Sequence, residues 1–153
     1  MEQNRDDQVE RLLEESYVLI DPLPEQVPAD GEGQYFAVER WMQEPSKKTE
    51  LYRRFVRLVL KLNCYFDLAV RILPDKAWEH NPKPDRFAAE VTDCIEHPNR
   101  CVDVLFPTQD ALLRLCADDV NMTLYHPSER LRAMAERLAA AEGLFVWEPP
   151  KQE

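Results

Sequence analysis

Six basic side chains lie close together between residues 47 and 61, in the segment KKTELYRRFVRLVLK, whose one acidic residue is Glu50. A helix would place Arg53, Arg57 and Lys61 on one face, because they are spaced four residues apart. Such a face is able to dock on a partner, bind an anion or pair with carboxylates of the same chain. Exposed charge runs are mostly solvated or internally paired, and that is the simplest interpretation. The functional interpretation is a partner- or anion-binding surface formed by Lys47, Lys48, Arg53, Arg54, Arg57 and Lys61.

A second group of residues has the chemistry of zinc ligands. Cys94, His97 and Cys101 have spacings found in structural zinc sites, and Cys116 follows further along the chain. A helix returning from a strand at 101–106 would bring Cys116 near Cys101. However, Cys94 and Cys116 fall on apolar stripes of their predicted helices, where free cysteine packs as a small apolar side chain. We therefore expect no bound metal or other cofactor, and a zinc-stabilised binding domain is an alternative.

His126 is the residue best suited to proton transfer, because imidazole titrates near neutral pH. If the last three strands are parallel, several polar side chains meet at one sheet edge, where ligands of open α/β sheets bind. The candidate ligand-binding residues there are Tyr125, His126 and Ser128, with Thr108 and Glu148 nearby. The residues around Pro127 are equally suited to start a helix. No catalytic residue is identified, since no nucleophile or second base can be placed beside His126.

Composition excludes several classes of protein. The chain has 153 residues, a net charge of -10 and only three glycines, so it contains neither a P-loop nor a dinucleotide-binding fingerprint. Its acidity argues against binding nucleic acid. The beginning of the chain does not resemble a signal peptide, and no apolar run is long enough for a membrane helix. We therefore expect a cytoplasmic protein with no membrane partner, whose four cysteines are reduced.

Hydrophobic periodicity predicts the elements that would position these residues. Helices are expected at 6–16, from 45 to about 62, from 84 to 95, from Thr108 to Cys116 and from Pro127 to Gly143. Strands are expected at 17–20, 34–42, 101–106, 122–125 and 144–147. Residues 64–73 fit both a strand and a helix, and the aromatic and β-branched residues after Asn63 favour the strand.

The predicted fold is a single α/β domain over residues 1–153, with frayed termini at 1–5 and 149–153. Its mixed sheet has an N-terminal β-hairpin at 17–42 and a C-terminal βαβαβ unit, covered by about four helices. Antiparallel α+β is the alternative, if residues 64–73 pair with the hairpin.

The leading functional hypothesis is a protein–protein interaction or regulatory module that docks through the basic helix face on an acidic body. We do not expect an enzyme. The competing hypothesis is a small-molecule-binding domain or enzyme that uses the sheet edge near His126. Another protein is the expected partner, a small molecule is the alternative, and a homo-oligomer is compatible with the sequence.

Overall fold

The computed structural model describes residues 2–29, 31, 33–74 and 77–150. This part of the chain is an α+β fold with five helices and a seven-stranded antiparallel sheet. The helices are α1 (Glu2–Leu12), α2 (Tyr35–Met42), α3 (Pro45–Asn63), α4 (Pro84–Ile95) and α5 (Glu129–Ala141). The strands are β1 (Tyr17–Asp21), β2 (Ala69–Leu73), β3 (Glu79–His80), β4 (Cys101–Phe106), β5 (Ala111–Cys116), β6 (Met122–Tyr125) and β7 (Phe145–Trp147). Their order in the sheet is β3-β2-β4-β5-β6-β1-β7. Fraying was predicted at residues 1–5 and 149–153. Of these, residue 1 and residues 151–153 lie outside the described residues.

The main core lies between one face of the sheet and helices α3, α4 and α5. Helix α3 begins with Pro45 at its first position and buries a wide stripe that includes Phe55, Leu58 and Leu62. Alternate strand residues such as Val104 and Leu113 pack against this stripe. No helix of the described chain is both long and apolar enough to cross a membrane.

The other face of the sheet is covered in part by α1. Val9 and Leu12 of that helix pack with Leu105, Leu112 and Trp78 in a smaller cluster. Further along this face, towards β1 and β7, Tyr17 and Phe145 stay exposed. The second face therefore has a covered half, under α1, and a more open half beside the edge strand β7.

Several predicted elements are confirmed with small shifts of their ends. Of the ambiguous segment 64–73, residues 69–73 form a strand, as the β-branched pattern indicates, whereas residues 64–68 do not. The Ser128 hydroxyl accepts a hydrogen bond from the Leu131 N–H and caps α5. The chain leaves that helix through Gly143, whose φ of 72° is readily adopted only by glycine.

The predicted strand at 34–42 is wrong, because residues 35–42 form helix α2. Strand β1 pairs with β6 on one side and with β7 on the other, so it has no free edge for a hairpin partner. The helix is held by a hydrogen bond from the Tyr35 hydroxyl to Glu39 one turn later. Aromatic residues that favour a strand intrinsically are here placed in a helix by their surroundings.

The predicted helix from Thr108 to Cys116 is also wrong. Residues 111–116 form strand β5, which follows β4 through a tight turn and pairs with it as a hairpin. Asp110 has a φ of 51° in that turn, a conformation that Asp tolerates better than most residues. The parallel βαβαβ unit is therefore replaced by antiparallel strands. This matches the α+β alternative, except that residues 69–73 pair with β4 and not with an N-terminal hairpin.

The expectation of four reduced cysteines is wrong as well. Cys101 and Cys116 face each other across β4 and β5, with 4.0 Å between their Cα atoms, and form a disulfide. Cys64 and Cys94 are free thiols, the first exposed and the second buried. Cys116 does lie beside Cys101, as expected, but a hairpin and not a returning helix brings it there.

Candidate functional site

The basic face of α3 is largely paired with carboxylates of the same chain. The Arg57 Nε lies 2.8 and 2.9 Å from the two carboxylate oxygens of Glu142, and the Lys61 Nζ lies 3.6 Å from one of them. The Glu142 side chain is only 6% exposed, so this carboxylate ties the end of α5 to α3. These pairs use two of the six basic residues for packing helices together.

The other basic residues of this face have weaker or aromatic partners. Arg53 and Arg54 lie 4.0 and 3.7 Å from Glu50, and Lys47 pairs with Glu44. The Lys47 ammonium also lies 4.4 Å from the centroid of the Trp41 ring. The Lys48 ammonium lies 5.7 Å from the Tyr52 ring. Internal pairing, the simpler interpretation of the sequence, thus describes much of this surface.

Of the residues proposed around His126, His126 itself and Ser128 contact the turn before β5. A ring nitrogen of His126 (Nδ1) lies 2.8 Å from the Asp110 carbonyl oxygen, and the Ser128 hydroxyl donates to the side chain of Gln109. The Tyr125 ring lies 5.6 Å from that of Tyr17 on the second face of the sheet. These contacts order the turn and the start of α5.

The possible zinc ligands do not form a metal site in this part of the chain. Cys101 and Cys116 are bonded to each other, and the His97 ring contacts the Asp93 carbonyl oxygen within its own helical region. Among the described residues, no group of three or more His, Cys, Asp or Glu side chains is placed to hold a metal ion.

A cleft of about 340 Å³ opens at the less covered half of the second sheet face. Its floor is formed by Leu19 and Asp21 of β1 and by Trp147 of β7. The walls are formed by the connection from β1 to α2 and by the first residues of α2. The residues that line them are Leu23, Glu25, Gln26, Val27, Pro28, Ala29, Tyr35 and Phe36, and Asn121 completes the lining. A mostly apolar and aromatic cleft with a few polar groups is the usual form of a binding site.

Asp21 is the buried polar group of this cleft, with 8% of its surface exposed. One carboxylate oxygen accepts a hydrogen bond from the Trp147 indole N–H at 3.2 Å, and the other accepts from the Leu23 N–H at 3.3 Å. Burial raises the pKa of the Asp21 carboxyl, and the two hydrogen bonds only partly oppose this effect. No basic side chain of the described residues forms an ion pair with Asp21.

Asp103, the other acidic residue of the described chain that is buried as a whole residue, has a very different environment. Its carboxylate is fully buried and accepts hydrogen bonds from Arg114 at 2.7 and 3.0 Å and from Arg71 at 3.2 Å. Both arginines lie directly opposite Asp103 on the neighbouring strands. Buried charges are normally paired in this way. Asp21 is therefore the buried acid whose cationic partner is missing from the described part of the chain.

Helix α2, whose first residues line the cleft, carries several exposed apolar side chains. None of its residues is buried, although Phe36 and Trp41 are large hydrophobic side chains, exposed by 74% and 54%. Val38 is also exposed, and Val27 lies exposed on the wall of the cleft. Large exposed apolar side chains are frequent at interaction surfaces, and Trp is enriched where interfaces gain most of their affinity.

The cleft was not predicted from the sequence. Its residues come from four separate segments, and the strand predicted at 34–42 would have placed Tyr35 and Phe36 in the sheet. A signal was present in Asp21 itself, an acidic residue directly after the apolar strand residues 18–20 and before Pro22. No family model matches this chain, and no curated protein or solved structure matches it either.

Proposed function

We propose that this protein is a protein–protein interaction module that binds a basic side chain of its partner in the Asp21 cleft. The observation that carries this proposal is a buried carboxylate, without a cationic partner among the described residues, at the floor of an aromatic cleft. Burying an unpaired carboxylate is costly, and a bound cation would offset that cost. The rings of Tyr35, Phe36 and Trp147 line the same cleft and suit the stem and head of a lysine or arginine side chain.

A protein partner is favoured over a free small molecule by the surface beside the cleft. Phe36 lines the cleft, whereas Val38 and Trp41 of the same helix are exposed outside its lining, where a larger partner would be needed to contact them. The net charge of -10 would steer a basic partner towards this protein. The docking surface proposed here is thus the cleft with α2, in place of the basic face of α3 that the sequence favours.

Partner or anion binding by the basic face of α3 stays a prediction, and so does a cytoplasmic location. Arg53 is the most exposed of the arginines in ion pairs on that face, and it is free to meet an anionic group of a partner. The Cys101–Cys116 disulfide weighs against a reducing compartment, because disulfides persist mainly in oxidising ones.

The test uses two probes that differ in charge and hardly in shape: N-acetyl-arginine amide and N-acetyl-citrulline amide. Binding is followed by the indole N–H resonance of Trp147 in ¹H–¹⁵N spectra, assigned with a Trp147→Phe variant. We expect the arginine probe to bind more tightly by roughly 10- to 100-fold, because hydrogen bonds to charged groups contribute about 1.5–3 kcal/mol. Affinity should rise as the pH rises through the pKa of Asp21, since the ionised carboxylate is the binding form.

Asp21→Asn should remove the preference for arginine over citrulline. The matched control is Asp7→Asn, which changes the net charge equally at an exposed residue of α1 with no side-chain bond among the described residues. If wild-type protein binds both probes equally, or if the two variants behave alike, Asp21 does not select a cation and the proposal is wrong.

A further inference from the structure

A second, more polar cleft lies beside the Asp21 cleft and shares one wall residue with it. It is lined by Glu14, Glu15, Ser16, Tyr17, Gln26, Glu148, Pro149 and Pro150, and Gln26 also lines the first cleft. Its volume is about 610 Å³, larger than that of the Asp21 cleft. The two clefts are therefore neighbours on the open half of the sheet face, and we call them together the groove.

Strand β1 gives the distance between the two parts of this groove. Tyr17 and Asp21 are at its two ends, and alternation places both on the sheet face that carries the groove, with Leu19 between them. A strand rises about 3.3 Å per residue, so these two positions are separated by roughly 13 Å. An extended peptide running along β1 covers that distance in four residues.

The charge of the second cleft indicates what kind of partner segment would bind in the groove. The second cleft contains three glutamates and no basic residue among the described residues that line it. Glu148 is 3.8 Å from Arg132, whereas the carboxylates of Glu14 and Glu15 form no ion pair within the described chain. An acidic groove that is apolar at one end and polar at the other is complementary to a segment with more than one basic residue.

We infer that the partner contributes an extended polypeptide segment with two basic residues four positions apart. One enters the Asp21 cleft, and the other lies against Glu14 and Glu15 in the second cleft. This inference depends on the proposed function, because it takes the Asp21 cleft as the site of the first basic residue. It adds the conformation of the partner segment and the spacing of its charges.

The experiment titrates three blocked five-residue peptides into the protein by calorimetry at low salt. The first has arginines at its first and fifth positions with alanines between them. In the second, the fifth residue is citrulline, and in the third the two arginines are adjacent. We expect the first peptide to bind roughly two- to fivefold more tightly than the other two, since each exposed charge pair contributes little. The gain should shrink as salt is added.

Variants separate the two parts of the groove. Glu14→Gln with Glu15→Gln should remove the gain from the second arginine and leave binding of the single-arginine probe unchanged. The matched control is Glu10→Gln with Glu96→Gln, two exposed glutamates that line neither cleft, which should keep the gain. Asp21→Asn should weaken all three peptides.

The outcomes that overturn the inference differ from those that overturn the proposed function. If single arginine binds through Asp21 but the second arginine adds nothing, the site takes one cation only and the segment inference is wrong. If single arginine does not bind, the proposed function itself is wrong. If sedimentation shows self-association that Asp21→Asn abolishes, the occupant is a second copy of this chain, which also overturns the inference.

Discussion

Removing the charge of Asp103 should destabilise this protein more than any change at an exposed carboxylate. Asp103 is fully buried at the centre of three adjacent strands, where it accepts three hydrogen bonds from Arg71 and Arg114. The Arg71 guanidinium also lies 4.5 Å from the Trp78 ring centroid, and its Nε is a buried atom without a hydrogen-bond partner among the described residues. Asp6 accepts hydrogen bonds from both Arg71 and Trp78.

The magnitude follows from what Asp103→Asn leaves behind. The amide has no charge, and its NH₂ group would face guanidinium donors instead of accepting from them. Removing one member of a buried ion pair costs about 3–5 kcal/mol, because an uncompensated charge stays behind. The Arg71 and Arg114 side chains are partly exposed, and Arg71 keeps Asp6, so we take the lower end, about 3 kcal/mol. For a chain of this length that corresponds to a fall in Tm of roughly 6–12 °C.

The assay is urea unfolding followed by circular dichroism, with Asp7→Asn as the exposed control. The control should stay within about 0.5 kcal/mol of wild type. A double-mutant cycle then tests the cause of the loss. Replacing both partners with apolar residues, Asp103→Leu with Arg114→Met, should recover about 1 kcal/mol or more relative to Asp103→Leu alone, because one unpaired charge is removed.

The reasoning is refuted if Asp103→Asn loses less than about 1 kcal/mol, or if the free energies of the two single changes simply add. Either result would mean that water or a shift of the strands compensates the two arginines. A change in the slope of the urea transition would instead indicate a different denatured state, and the comparison would then be made by thermal unfolding at several pH values.

Two further predictions concern the disulfide and Asp21. When the protein is unfolded without reductant, alkylation should modify two thiols, and four modified thiols would show that the Cys101–Cys116 bond is absent. Reduction should lower the free energy of unfolding by about 3 kcal/mol, because the bond closes a loop with a sequence separation of 15. The pKa of Asp21 is higher in the folded state than in the unfolded state. The protonation of Asp21 therefore stabilises the fold fully at pH values below its unfolded-state pKa, and this contribution is lost as the pH rises through its folded-state pKa. The Tm of wild type minus that of Asp21→Asn should therefore decrease from pH 4 to pH 8, and an increase over that range would contradict the raised pKa.

The sequence predicts well those elements in which one face alone is apolar. Helices α3, α4 and α5 each have a stripe that only a helical period explains, and Ser128 and Gly143 mark the two ends of α5. The segment ALLRLC (111–116) has no such one-sided pattern, because strand β5 is buried on both faces. One face lies under α3–α5 and the other partly under α1. A run that is apolar throughout fits a strand and a helix equally, so periodicity cannot distinguish them.

The error at residues 111–116 concealed the pairing of charges. As a helix, that segment would not place Arg114 opposite Asp103, so the partner of the buried acid could not be identified from the sequence. For Asp21 the local structure was nearly predicted, because the expected strand at 17–20 ends just before it. The absence of a cation beside Asp21 becomes visible only when every described neighbour is known. A site whose defining property is an unpaired buried charge depends on tertiary contacts from many segments. For that reason the two buried acids differ in what they indicate: Asp103 is paired within the sheet, and Asp21 marks the surface at which we propose that a partner supplies the cation.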